Sequence, residues 1–187
     1  MYRVRLGFQS RWEDKAMAMD NLRALFIFRL NQTISAEKSM QKLTRELASD
    51  AQRQDVKDAL QRHESALSTQ ISHLEDCLRK SGEQPTQVEN YVIEGMMKEV
   101  AEFRRTNPPV QAFDLYRLGM LIRLGFLKVA DYRILVREAN ALGARDCAQM
   151  LEGDLREIED NAERIADRIS QAAQQWGGGG GPSMGIR

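Results

Sequence analysis

The stretch "NQTISAEKSMQKL", Asn31 to Leu43, decides the fold. Leu30, Met40 and Leu47 fall on one line at helical spacing, and Glu37 sits on or beside that line. The segment therefore reads as the middle of an amphipathic helix with a carboxylate near its buried face. A carboxylate facing a core is costly unless a metal ion or a cation pairs with it. The rest of the chain has to say which.

Working outward, Asp20 is placed to cap a helix that begins at Asn21 and ends near Ser49–Gln54, with Leu22, Leu25, Phe26, Leu30, Met40, Leu43 and Leu47 as its apolar positions. A second helix is expected from about Asp55 to Lys80. Its stripe runs through Val56, Leu60, His63, Leu67, Ile71, Leu74 and Leu78, and "SGEQP" stops it at Gly82. A shorter third helix is expected from about Gln87 to Arg105, burying Val88, Tyr91/Val92, Met96, Val100 and Phe103. Pro108 and Pro109 break the chain there. A fourth runs from about Val110 to Leu142 with Gly143 as its C-cap, and a fifth ends near Gln175 with Leu151, Leu155, Ile158, Ala162, Ile165 and Ile169 inward. Apart from a weak "YRVRLGF" at the start, nothing alternates like a strand. Stripes this narrow need partners, so the expectation is an all-α, antiparallel four-helix bundle with one extra short helix.

Composition agrees. The 187 residues are 42% hydrophobic and 29% charged with only 4 prolines, a helix-rich profile that can build one core. Lys+Arg and Asp+Glu are both 27. That balance argues against a general nucleic-acid binder, which carries a basic excess, but leaves room for a local patch. Arg104, Arg105, Arg117, Arg123 and Arg133 are its candidate members, and a solvated face is the plainer explanation. The two cysteines, Cys77 and Cys147, suit a reducing cytoplasm and read as buried thiols, with a disulfide between them left open by spacing alone. No apolar run approaches the roughly 20 residues that span a bilayer. Residues 1–19 hold basic residues but no apolar h-region, and read as a flexible arm or an upstream start-codon extension. After the bundle, 20–175, residues 176–187 hold a pentaglycine, Gly177 to Gly181, and then "PSMGIR". The layout of tether and short peptide is that of a docking tail, so Pro182, Ser183, Met184, Gly185, Ile186 and Arg187 are candidate contacts for a partner such as a shell protein.

Three segments carry a resemblance. "SAEKSMQKL" on the first helix, "RHESALSTQISHLEDCLRKSGEQP" on the second and "VIEGMMKEV" on the third resemble, in order and spacing, a bacterial ferritin-like family typified by the stress proteins YciE and YciF. The likeness runs from about Asn21 to Ala172. It implies a ferritin-like bundle, a homodimer formed near the exposed edge of the third helix, and a two-metal centre for iron or manganese fed by inward carboxylates.

Residue by residue, that centre is incomplete. Glu37 and His63 match the family's first-helix glutamate and second-helix histidine. Ser65 and Ala66 stand where the second helix should carry acids. On the fourth helix "GFLK" puts Gly125, Phe126 and Lys128 in place of ligands, and on the last helix Ile158 takes the inward position beside Glu157. A lysine ammonium has three donors and no acceptor, and repels a cation. The expectation is a non-catalytic protein with no cofactor, in which Glu37 faces Lys128 across the core. The alternative is a di-iron or di-manganese protein of iron handling or peroxide defence, relying on Glu37, His63, Glu94 and Glu157.

Other residues read more plainly. His63 fits a hydrogen-bonded core residue before it fits a lone ligand, and His73 is rotated off its face. Glu94 reads as a rim carboxylate. Met40, Met96, Met97 and Met120 read as core filler. The charged run of the last helix reads as an outer face with pairs such as Glu152–Arg156. No phosphate loop or nucleophile–base arrangement is legible.

Overall fold

The computed structural model describes residues 20–177. The N-terminal arm, 1–19, and the tail peptide, 182–187, lie outside the described residues, as does the rest of the glycine run beyond Gly177. Five helices follow in order: α1 (Leu22–Ala48), α2 (Gln54–Lys80), α3 (Tyr91–Arg105), α4 (Val110–Ala141) and α5 (Arg145–Gly177). No strand occurs among the described residues.

Local chemistry sets the ends. Asn21, not Asp20, caps α1: its Oδ1 accepts from the Ala24 amide at 2.9 Å, while Asp20 accepts from the Asn21 side chain. The third helix starts at Tyr91, four residues later than the spacing predicts. Asn90 caps it by accepting from the Ile93 amide. The segment before it is drawn out along α1 instead, where the Asn31 and Ser35 side chains accept from the amides of Thr86 and Val88. Gly82 and Gly143 end α2 and α4 with φ of 77° and 70°, the left-handed turn that a glycine adopts without strain. The last helix runs on to Gly177, so the first glycine of the tether is still helical.

Side-chain pairs fix the helix directions. Lys38–Glu75 and Arg45–Glu64 join α1 to α2 in antiparallel sense. Arg29–Glu138 and Glu37–Lys128 do the same for α1 and α4, and His73–Asp154 and Lys80–Asp146 for α2 and α5. So α1 and α5 point one way, and α2 and α4 the other. Since α2 and α4 are parallel, a long crossover has to carry the chain from one end to the other, and residues 81–109 with α3 do this. Four-helix bundles with one such crossover form the ferritin-like class.

The core has two apolar regions. Met40, Leu43, Leu47, Leu60, Leu67, Leu118, Leu121 and Leu124 fill one. Phe26, Leu30, Ile34, Leu74, Tyr132, Leu135, Leu151 and Ile158 fill the other. Each fully buried leucine contributes about 1.5–3 kcal/mol. Gly125 lets α4 approach α5 closely: a Cβ there would stand 3.4 Å from the Ala162 Cβ. The third helix departs from its expected face. Ile93, Met96 and Val100 are buried, whereas Tyr91 and Val92 are 63% and 56% exposed. Those two residues lie in the first turn; the 93–96–100 line is the buried one, with Met97 packed beside it and Phe103 stacked on Tyr116 of α4.

Candidate functional site

The boundary between the two apolar regions is polar. Glu37 from α1, His63 and Gln70 from α2, Lys128 and Tyr132 from α4, and Asp154 from α5 are all buried there. Each sits on its helix's apolar stripe: Gln70 is three residues after Leu67 and four before Leu74, and Asp154 is three after Leu151 and four before Ile158. Bundle packing therefore turns them inward regardless of their polarity.

The Lys128 Nζ stands 3.4 Å from Glu37 Oε1, with side chains 2% and 0% exposed. This is an ion pair without a hydrogen bond, and neither Glu37 oxygen has a hydrogen-bond partner. The lysine instead donates to Gln70 Oε1, across the diagonal of the bundle. Burial pushes the Glu37 carboxyl up, and the Lys128 ammonium and Tyr132 hydroxyl pull it partly back. Tyr132 faces the same carboxylate outside hydrogen-bond geometry, and its hydroxyl is held well above its usual value by burial and by Glu37.

His63 is buried beside this pair, as a core residue should be, and its Nε2 has no protein partner. Burial first, and the Lys128 charge second, lower its pKa to about 3. A cavity of about 20 Å³ lies between His63, Gln70, Lys128, Gly125 and Ala162, enough for roughly one water.

His73 turns toward α5 and was not foreseen as a site residue. Its Nδ1 lies 2.9 and 3.1 Å from the two oxygens of Asp154, which is only 4% exposed. Burial raises the Asp154 carboxyl and His73 lowers it.

These side chains do not fit a two-metal centre. Glu37 and His63 come to the middle of the bundle, but Glu157 is exposed at the edge of the small cavity and Glu94 is exposed on α3. Ile158 is buried in the position next to Glu157. Among the described residues, no three His, Cys, Asp or Glu side chains gather so that they could hold a metal ion. The site's cation is Lys128, whose ammonium would repel a second one.

The candidate arginines do not form a patch. Arg104 meets Glu46 and Asp50, Arg105 meets Glu102, Arg123 meets Glu99 and Arg133 meets Glu159. Arg117 is fully buried. It binds Asp114 at 2.6 Å, Asp50 at 2.5 Å and the Leu47 carbonyl at 2.9 Å, with its guanidinium 3.8 Å from the Phe113 ring centroid. On α5 the expected Glu152–Arg156 pair is not made; Glu159 reaches across to Arg133. No helix among the described residues is long and apolar enough to cross a membrane.

The His63 environment predicts a pH effect. The unfolded imidazole titrates near 6.5 and the folded one near 3. The depressed value means that this contribution is fully present above pH 6.5 and is lost as pH falls toward 3, by about 1.4 kcal/mol per pH unit. Urea unfolding at pH 7 and pH 5 should show wild type losing about 2 kcal/mol more than His63→Gln over that interval. Parallel losses in both proteins would refute the assignment.

One crossover, four core helices and inward-facing polar residues at mid-length define a ferritin-like helical bundle. The chain belongs to the family described as a domain of unknown function, DUF892, whose model matches residues 21–176. Among solved structures it is similar to the E. coli stress protein YciF, with a TM-score of 0.78 and 21% identity over 83% of this chain and 99% of that one. It is also similar to YcfI of Rhodopseudomonas palustris, described as a candidate structural protein, with a TM-score of 0.76 and 21% identity over 81% and 97% of the two chains. A protein of Xanthomonas campestris aligns with a TM-score of 0.67 and 16% identity over 83% and 96%. A comparison with curated proteins finds no match.

Proposed function

We propose that this protein is a non-catalytic, stress-related structural or interaction protein whose two-metal site is degenerate. The observation that carries this reading is Lys128: its ammonium lies 3.4 Å from Glu37 at the middle of the core. A metal centre there would need several carboxylates to neutralise its cations, and this layer offers Glu37, already facing a lysine, and Asp154, already held by His73. The stress association rests on the likeness to the E. coli protein, and the structural role on that to the R. palustris one. The protein acts as a homodimer, for which the exposed Tyr91 and Val92 at the start of α3 supply an apolar contact edge.

Elemental analysis tests the reading. Protein incubated with ferrous iron or manganese and then desalted should retain less than about a tenth of an equivalent per chain, as expected for a pocket that already holds a cation. Retention of one or two equivalents, lost on Glu37→Ala, would overturn it and favour the di-iron or di-manganese alternative.

A further inference from the structure

We propose that Cys77 and Cys147 form an oxidisable dithiol, which a peroxide converts to an intramolecular disulfide joining the last turns of α2 to the first turn of α5. The placement carries this. Both cysteines are free and buried in the same apolar region. The Lys80–Asp146 pair at 3.1 Å clamps the two helix ends together; Cys77 lies one turn before Lys80, and Cys147 directly follows Asp146. Farther along the same seam, His73 and Asp154 hold α2 to α5 again. Both cysteines fall between these two clamps, on the same α2–α5 seam and in the same apolar cluster.

The two thiols differ in access. Cys147 lines an open recess of about 450 Å³ between the end of α2 and the turn into α5, whose rim includes Lys80, Ser81, Arg145 and Asp146. Cys77 is fully buried behind it. Burial first, and the Cys147 thiol second, push the Cys77 thiol well above its usual value, so it is a poor first nucleophile toward a peroxide. Cys147 therefore reacts first and Cys77 second.

In the first step the Cys147 sulfur attacks one peroxide oxygen. The O–O bond breaks, one water leaves, and Cys147 becomes a sulfenic acid. The Cys77 sulfur then attacks the Cys147 sulfur. The S–O bond breaks, the S–S bond forms, and the second water carries away the Cys77 proton. The two thiols lose two electrons in all, and hydrogen peroxide gains them. A low-molecular-weight thiol reverses the bond by exchange.

The test treats the reduced, full-length protein with hydrogen peroxide, with free cysteine in a parallel sample as an exposed reference. Alkylatable thiols should fall from two to zero, with a mass loss of about 2 Da, no chain-to-chain crosslink and full recovery on reduction. Oxidation should raise the thermal midpoint by roughly 5–10 °C, since the bond closes a long loop of the unfolded chain. Cys77→Ser should leave a sulfenic acid at Cys147 that dimedone traps, and Cys147→Ser should leave the Cys77 thiol intact. Two thiols surviving after the free cysteine is consumed, disulfides between chains, or Cys77 reacting in Cys147→Ser would each overturn the proposal.

Discussion

Lys128→Ala is expected to destabilise the protein by about 3–5 kcal/mol, because it strands a fully buried carboxylate with no hydrogen-bond partner. Part of that figure is the cavity left by the missing side chain. The informative comparison therefore removes the charge while keeping volume: Lys128→Met alone against Glu37→Leu/Lys128→Met together. The double variant should recover to within about 1 kcal/mol of wild type, since a well-packed apolar pair of similar size is commonly neutral or better. The single variant should also carry a pH signature. Burial already raises the Glu37 carboxyl, and Lys128 is the largest influence pulling it back. Without the lysine the folded value rises further, so the single variant's stability is greatest below the unfolded value of about 4.5 and is lost as pH rises. Urea titrations at pH 4 and pH 7 read both effects. Equal stability of single and double variants at pH 7 would count against the pairing.

Most of this fold is legible in the sequence, because apolar spacing of three and four residues reports which helix face is buried and glycine and proline report where helices stop. The stripe also puts Glu37 at the core, whereas Gln70 and Asp154, which share the register of their apolar neighbours, go unmarked by apolar spacing because they are polar. What register does not report is the partner. His73 lies off the His63 face, and only the antiparallel packing of α2 on α5 brings it to Asp154. Nor does register settle short helices. Val92 and Ile93 are equally good candidates for the inner face of α3, and the Asn90 cap and the Ser35 contact to Val88 decide for Ile93. The basic patch failed for a related reason. Arginines counted along one chain say nothing of the acids that other segments bring to them, as for Arg104, Arg117, Arg123 and Arg133, while Arg105 pairs with Glu102 on its own helix.

Arg117 is the extreme case, and its removal is the second large effect. Arg117→Met is expected to destabilise by about 3–5 kcal/mol while preserving most of the side-chain volume. Asp114, 1% exposed, would lose its one arginine hydrogen bond, at Oδ1, while its Oδ2 is already unpaired. The Leu47 carbonyl, near the C-terminal end of α1, would lose its donor, and such carbonyls have no partner within the helix. The stacking of the guanidinium on Phe113 would go as well, worth about 0.5–2 kcal/mol. Lys at this position should rescue little, because one ammonium cannot reach Asp114, Asp50 and the carbonyl with the planar fork that an arginine supplies. Adding Asp114→Asn to Arg117→Met should restore part of the loss, since the stranded charge is then gone. Thermal unfolding of the four proteins checks this. A loss under about 1 kcal/mol for Arg117→Met would mean that the triad contributes little and that the apolar packing around Leu47 and Leu118 alone holds that end of the bundle.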